Sequence, residues 1–250
     1  MDRSMMRRWS VGPLLLSAML LVSCASPSPS PVDEIVDANL AARGGAERIR
    51  ALQSIRQTGV VTASGGRTAR VVRELKRPGM VRLEFIVQGT TAVFAHDGGT
   101  GWQVAPLQGQ FDPVMTAPGG DAVAGVDQRD LEGHLVDWRE KGHTIELVGR
   151  EMLPGGEADV LKVTLSDGSV RTDYVDVATR LIVRSDVTRL VQGRPVQLEN
   201  TLSDFREVDG LVFPFRMETR ARERPEVVTI VVDTIELDPE LDDARFQFPE

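Results

Sequence analysis

Cysteine and tyrosine each occur once in this sequence of 250 residues, and aromatic residues make up only 5% of it. A single cysteine, Cys24, excludes a disulfide scaffold and cysteine-based metal or redox chemistry. A basic excess is also missing, because 29 Lys and Arg face 37 Asp and Glu. DNA and anionic membrane surfaces are therefore not obvious electrostatic partners.

Catalytic and cofactor motifs are missing as well. No G-x-S-x-G elbow, H-E-x-x-H, EF-hand loop or Walker sequence occurs. His96, His134 and His143 have no close sequence partner suited to a metal or triad site, so each is expected to be structural or at the solvent edge. We expect a protein that is not an enzyme and has no metal and no cofactor. Catalytic residues that converge from distant strands would leave no local motif of this kind.

The N-terminus carries the most specific signal in the chain. Arg3, Arg7 and Arg8 precede an apolar stretch from Val11 to Val22, which has the length of a signal peptide. Leu21-Val22-Ser23-Cys24 then forms a lipobox. The sequence predicts a lipoprotein signal peptide over 1–23, with Cys24 as the lipidated first mature residue. The alternatives are an ordinary cleaved signal with an incidental cysteine, or an uncleaved helical anchor.

Residues 24–31 alternate Ser and Pro after the first two positions and predict an extended tether. The remaining residues, 32–250, suffice for one sizeable core, and we predict one domain. No second hydrophobic run is long enough to span a membrane.

Two helices are predicted. Ser30 as N-cap, Pro31 at the first position and Asp33 near the dipole indicate a helix start, and the pattern ends at Gly44-Gly45. Residues 46–52 supply another turn or two. A second helix is predicted from about residue 127, with Leu131, Leu135 and Trp138 on one face, although Gly133 weakens it.

Most other segments alternate apolar and polar residues, as strands with one buried face do. Hairpin signals such as Pro78-Gly79, Asp167-Gly168 and Asp209-Gly210 separate the runs. We count about eleven strands. The predicted fold is mainly β: an unclosed antiparallel β half-barrel whose helices cover the concave face, since a flat sheet would leave its apolar face uncovered.

Large apolar residues that alternate on these strands are candidates for lining a ligand cavity between sheet and helices. The candidate ligand-binding residues are Leu83, Phe85, Phe94, Trp102, Phe213 and Phe215. The alternative for each of them is ordinary core.

Four segments together with the lipobox resemble a known family. They are Ala41-Ala42-Arg43-Gly44-Gly45-Ala46-Glu47-Arg48-Ile49, Gln57-Thr58-Gly59, the run from Tyr174 to Leu181, and the run from Ser203 to Pro214. With these segments the mature chain resembles the outer-membrane lipoprotein-sorting-like proteins of the LolA, LolB and LppX superfamily. The resemblance implies an open half-barrel with a helical lid over a cavity for acyl chains.

The resemblance implies a membrane-anchored periplasmic protein that binds lipid or lipoprotein acyl chains, in lipoprotein sorting or lipid transport. Ala25 is not the aspartate that commonly retains lipoproteins at the inner membrane, which favours the outer membrane facing the periplasm. The competing hypothesis is an envelope adaptor or stress-sensing module that binds a protein partner. Neither hypothesis involves nucleic acid.

The lipobox generates the first prediction. Wild-type protein should fractionate with membranes, whereas Cys24→Ser should be released or remain unprocessed, because the acyl thioether requires sulfur and several acyl chains hold a protein firmly. Mass spectrometry of the mature N-terminus checks this, and a wild-type Cys24 without added lipid would contradict it.

Overall fold

The structure is a computed structural model that describes residues 30–116, 129–191, 194–222 and 226–249. The predicted signal peptide, Cys24 and nearly all of the predicted tether lie outside these ranges. Within these ranges, two α-helices and thirteen strands follow one another. They are α1 (Pro31–Ala42), α2 (Ala46–Ala51), β1 (Ser54–Thr62), β2 (Thr68–Lys76), β3 (Met80–Val87), β4 (Thr90–Asp97), β5 (Gly101–Ala105), β6 (Gln110–Met115), β7 (Thr144–Leu153), β8 (Gly156–Thr164), β9 (Val170–Asp176), β10 (Ile182–Val191), β11 (Arg194–Val208), β12 (Leu211–Ala221) and β13 (Val227–Leu237).

Helix α1 begins where the sequence predicts. The Ser30 hydroxyl accepts a hydrogen bond from the backbone N–H of Asp33 at 3.2 Å, and the Asp33 carboxylate accepts one from the backbone N–H of Ser30, which completes a capping box. Pro31 occupies the first turn, where its missing N–H costs nothing. The buried residues Ile35 and Leu40 then recur on one side of the helix.

All thirteen strands belong to one antiparallel sheet in the order β6-β5-β4-β3-β2-β1-β13-β12-β11-β10-β9-β8-β7. The pairing of β1 with β13 joins the two halves of the chain. The sheet ends at β6 and β7, which do not pair with each other, so the predicted open, mainly β fold is confirmed. It has thirteen strands rather than about eleven, with tight turns at Gln88-Gly89 and Pro154-Gly155 that the turn signals above do not include.

We call the face of the sheet that α1 packs against the inner face, and the opposite face the outer face. The main core lies between the inner face and the helices. Its strand members are Ile55, Ile145, Leu161, Val163, Val175, Leu211, Phe215 and Ile235. The strands from β1 to β7 in the sheet order would span roughly 34 Å if flat, whereas a helix of 12 residues is about 18 Å long. A single core nevertheless includes residues of both β1 and β7, because the sheet curves around the helices.

The helix predicted from about residue 127 is wrong for residues 131–142. These residues form turns, whereas Asp127 itself lies outside the described residues. Gly133 has φ +87° and Asp137 has φ +49°, and neither angle is compatible with a right-handed helix. The apolar spacing is real, but it belongs to a looped segment whose Leu135 and Val136 are buried in the core.

We call residues 129–143 the plug segment. Its charged residues pair with each other, with both helices and with the turn after β2. The pairs are Lys141–Asp130, Lys141–Glu132, Arg77–Glu132, Arg50–Asp137 and Arg139–Asp33. The pairs at Asp137 and Asp33 are partly exposed and contribute little to stability, whereas the Asp130 and Glu132 carboxylates are only 10% exposed. Burial of Leu135 and Val136 adds apolar docking energy, and the ion pairs fix the orientation.

No helix in the described ranges is long and apolar enough to cross a membrane.

The end of α1 docks closely on the turn between β11 and β12. The backbone N–H of Val212 donates to the carbonyl of Arg43 at 3.0 Å. Gly44 has φ +107°, and a Cβ atom there would lie 2.2 Å from the carbonyl oxygen of Gly210. Gly45 has φ +97°, but a Cβ atom on it would meet nothing within 4 Å.

These two glycines form a matched pair for a stability test. Gly45→Ala should lower the free energy of unfolding by about 1–3 kcal/mol through backbone strain alone. Gly44→Ala should lower it further, because its methyl group also overlaps a backbone oxygen that cannot move without undocking α1. Urea denaturation measures both variants, and equal midpoints would contradict the close approach.

Candidate functional site

Five of the six candidate ligand-binding residues lie on the inner face. Leu83 pairs across β3 and β4 with Phe94, and Phe85 points to the same side two residues further along β3. Phe213 and Phe215 on β12 belong to the core beneath α1. Alternation along the strands therefore selects the correct side at these five positions.

Phe85 and Phe94 form an aromatic pair on this face. Their ring centroids are 6.2 Å apart and their planes cross at 80°, which is the edge-to-face geometry that aromatic rings prefer. Both side chains are half-buried, as is Leu83 beside them. They are thus neither sealed in the core nor open to bulk water, which is the environment expected for residues that line a concave surface.

Phe215 is in a different environment. Its side chain is only 5% exposed and packs in the core, while the guanidinium of Arg206 lies 4.6 Å from the centre of its ring. Phe213 is partly buried against the same core. The β3 and β12 residues are four strand spacings apart, roughly 19 Å across the sheet. Direct contact between the two groups is therefore not expected.

Apolar residues on the inner face bridge this gap. Phe85 pairs with Val71, Val71 pairs with Gly59, and Gly59 pairs with Val232, which packs in the same core as Phe215. A second row of half-buried residues runs parallel to the first, from β1 across β13 and β12 to β11. Its members are Val61, Ile230, Met217 and Leu202. We call these two rows, with Leu83 and Phe94, the apolar strip.

Trp102 is separated from the other candidates. It pairs with Ala95 on the outer face and is 4% exposed. Its indole N–H donates to the carbonyl of Phe246 at 2.8 Å, in the C-terminal segment that follows β13 and packs on the outer face. Phe246 itself is fully buried. Trp102 therefore holds the C-terminal segment against the sheet and does not border the apolar strip.

A buried polar cluster, which sequence reasoning missed, interrupts the inner face on β9 and β10. The Asp173 carboxylate, which is fully buried, accepts hydrogen bonds from His134 Nε2 at 2.5 Å, Ser185 Oγ at 2.6 Å and Arg171 Nε at 3.0 Å. His134 belongs to the plug segment, so this cluster joins the plug to the sheet. The only signal in the sequence is two charged residues, 171 and 173, at the i, i+2 spacing of one strand face.

Electrostatics fix the protonation states in this cluster. Burial favours a protonated Asp173, but Arg171, His134 and Ser185 outweigh it, so the pKa of Asp173 lies well below its usual range. Burial and then the positive charge of Arg171 lower the pKa of His134, and the attraction of Asp173 offsets this only in part. His134 is therefore neutral near pH 7, and its Nε2–H donates to the carboxylate.

Ser185, His134 and Asp173 have the composition of a catalytic triad without its geometry. In a triad the histidine lies between the hydroxyl and the acid, so that it can take the hydroxyl proton. Here the Asp173 carboxylate lies between the other two, and Ser185 donates to it directly. Ser185 consequently has no histidine base in this cluster, and the arrangement supports a structural role.

The other two histidines accept hydrogen bonds from backbone N–H groups. His96 Nδ1 accepts from the N–H of Gly98 at 3.0 Å, and His143 Nδ1 accepts from the N–H of Ser166 at 3.1 Å. Both histidines are buried rather than at the solvent edge. Within the described ranges, no three His, Cys, Asp or Glu side chains cluster as metal ligands would.

Comparison with solved structures defines the class of fold. A DUF1329 family protein from Desulfovibrio piger is 18% identical, with a TM-score of 0.60 over 88% of this chain and 98% of that one. A putative outer membrane lipoprotein-sorting protein domain from Vibrio parahaemolyticus is 12% identical, with a TM-score of 0.57 over 85% and 94%. A LolA superfamily protein from Nitrosomonas europaea is 14% identical, with a TM-score of 0.58 over 86% and 96%.

This chain therefore has a LolA-like fold, which confirms the architecture implied by the sequence resemblance. No protein-family model matches the sequence, and no curated protein does. At sequence identities below one fifth, the likeness to solved structures establishes the fold only. The class of ligand has to be inferred from the chemistry of the site.

The buried cluster predicts how stability depends on pH. Unfolded His134 takes up a proton near its ordinary pKa of 6.5, whereas the folded protein resists this protonation. The unfolded state then binds more protons, so the free energy of unfolding should fall as the pH drops below about 6.5. A second loss should begin near pH 3.8, where unfolded Asp173 becomes protonated.

His134→Gln tests the first of these losses. Glutamine keeps an N–H donor for Asp173 but cannot titrate, so the slope of stability against pH between 6.5 and 5 should decrease by up to about 1.4 kcal/mol per pH unit. Some slope should remain, because burial also lowers the pKa of His143. Urea denaturation across this range measures the slope, and an unchanged slope would exclude His134 as its source.

Proposed function

We propose that this protein is a lipid-anchored periplasmic lipoprotein that binds lipid or lipoprotein acyl chains along the apolar strip, in lipoprotein sorting or lipid transport. The observation that carries the proposal is the continuous row of apolar residues on the inner face, from Phe85 on β3 to Leu202 on β11, most of which are half-buried. Beneath α1, by contrast, the core residues Leu211 and Phe215 are 3% and 5% exposed.

The strip matches the chemistry of an acyl chain. Its side chains are aliphatic or aromatic, and an acyl chain gains about 0.8 kcal/mol for each methylene removed from water. Eight methylenes would supply about 6 kcal/mol before the cost of ordering the chain. Two charged residues border the strip in the sheet. Arg73 on β2 pairs across the sheet with Leu83. Arg206 on β11 pairs across the sheet with Phe213 and forms an ion pair with Asp204 at 2.6 Å.

The LolA-like fold and the lipobox support this proposal from two directions. Two of the similar solved structures are described as a lipoprotein-sorting domain and a LolA superfamily protein. The sequence ending at Cys24 supplies an anchor, and Ala25 favours the outer membrane. The protein would then bind its ligand on the periplasmic side of the membrane to which it is attached.

A second candidate function is an envelope adaptor that binds a protein partner. One observation favours it: the β6 edge of the sheet exposes large apolar side chains. Leu107 just before β6 is 59% exposed, and Phe111 and Met115 on β6 are 73% and 52% exposed. Exposed apolar patches of this kind often mark interaction sites. Under this hypothesis the apolar strip is part of the core.

A pair of adjacent substitutions on β3 distinguishes the two functions. In protein produced without its anchor, Phe85→Glu should weaken binding of a fluorescent fatty-acyl probe at least tenfold, because a charge in the strip opposes the apolar chain. Ile86→Glu is the matched control: Ile86 is also half-buried but pairs with Arg70 on the outer face, so it should leave probe affinity unchanged.

Urea denaturation of the same proteins completes the test. Both variants should unfold cooperatively with similar midpoints, since each replaces a half-buried side chain that can hydrate a carboxylate. Absence of saturable probe binding by the wild type, or equal loss in both variants, would favour the adaptor.

A further inference from the structure

The last strand of the sheet, β7, has an unusual surface. Leu147, Val148 and Met152 are 39%, 64% and 70% exposed, although β7 is an edge strand among the strands that the structure describes. Soluble proteins usually protect such edges with charges, bulges or covering segments. Three exposed apolar side chains within six residues therefore indicate a surface that contacts another molecule or a membrane.

The shape of β7 argues against another strand as that occupant. The register with β8 shifts between Leu147 and Gly149, so Val148 is the extra residue of a β-bulge. A bulge interrupts the regular ladder that an added strand would need. The apolar side chains, rather than the backbone edge, are what this surface offers.

The surface lies next to the start of α1. Leu147 borders a groove of about 290 Å³ together with Pro31, Ile35 and Ala38. Pro31 is the seventh residue after Cys24, and seven residues extend over at most about 25 Å. A lipid on Cys24 would therefore hold Pro31 within about 25 Å of the bilayer surface. The β7 edge lies on the other side of the groove that Pro31 borders, so it would also be held near the bilayer.

We infer that the β7 edge, through Leu147, Val148 and Met152, docks on the lipid bilayer that carries the anchor. This inference rests on the anchored location in the proposed function. The acyl anchor makes the contact intramolecular, so a small apolar patch that could not recruit the protein from solution can hold it in one orientation.

The charges around the patch specify the lipid. Glu146 and Glu151 flank the apolar residues on β7, and Glu34 borders the groove, whereas Arg150 and Arg180 border the groove with the opposite sign. Arg150 is paired with Asp159 at 2.8 Å, and Arg180 lies 3.5 Å from the same carboxylate. The patch thus has no surplus of positive charge, and docking should not require anionic lipid.

A single introduced cysteine can report the contact, because Cys24 is the only native one and its sulfur is blocked once it is lipidated. We would label Val148→Cys with an environment-sensitive NBD fluorophore in the full-length, processed lipoprotein. The protein would be reconstituted into zwitterionic phosphatidylcholine–phosphatidylethanolamine vesicles. Val231→Cys is the control, since Val231 is 37% exposed in mid-sheet on the outer face, six strand positions from β7.

The expected result is a severalfold increase and a blue shift of NBD emission at position 148 upon reconstitution, with quenching by spin-labelled lipid and no change at position 231. Equal emission at both positions on vesicles, with lipid present on Cys24 by mass spectrometry, would overturn the docking inference and leave the acyl-binding proposal intact. An increase at position 148 that follows protein concentration without vesicles would assign the patch to a second copy and overturn it. Absence of lipid on Cys24 would remove the anchor, and with it this inference.

Discussion

The apolar inner face of the open thirteen-stranded sheet must be shielded from water, and the described helices are too short to shield all of it. Helices α1 and α2 and the plug segment seal the region around Phe215 and Leu161. Towards β3 and β11 the same face carries the apolar strip, whose residues are mostly half-buried, although Leu83 and Phe94 pack in one cluster with Leu131 of the plug segment. The fold and the proposed ligand site thus follow from one constraint, because the surface that the helices leave uncovered is the surface that an acyl chain can occupy.

The Asp173 cluster fits this arrangement. A buried carboxylate is tolerated only when it is paired and hydrogen-bonded, and here Arg171, Ser185 and His134 meet that requirement. Since His134 comes from the plug segment, the cluster holds the plug over β9 and β10. The buried charges of the cluster position the plug segment on the sheet.

The sequence alone predicts the features that depend on neighbouring residues. The Ser30 cap, the glycines after α1 and the alternation along β3 are local, and the structure bears out each of them. The plug segment is mispredicted because Leu131, Leu135 and Trp138 have helical spacing, although Gly133 and Asp137 adopt positive φ angles that a right-handed helix excludes. The Asp173 cluster joins residues 39 positions apart, which no local pattern records.

Trp102 shows a further limit of alternation. Both faces of β4 are apolar, since Val93 and Ala95 alternate with Phe94, and both faces of this part of the sheet are covered by other segments. Alternation then identifies two faces without indicating which one is the inner face. Only the register, in which Trp102 pairs with Ala95, places it under the C-terminal segment.

The central claim is that the inner face of the sheet binds acyl chains along the apolar strip. The most direct measurement is photocrosslinking of the anchor-free protein with a diazirine-bearing fatty acid, followed by peptide mapping. The account predicts saturable crosslinks to inner-face residues of β3, β12 and β13, such as Phe85, Met217 and Ile230, which excess fatty acid abolishes. Crosslinks confined to the outer face or the sheet edges, or labelling that does not saturate, would contradict it.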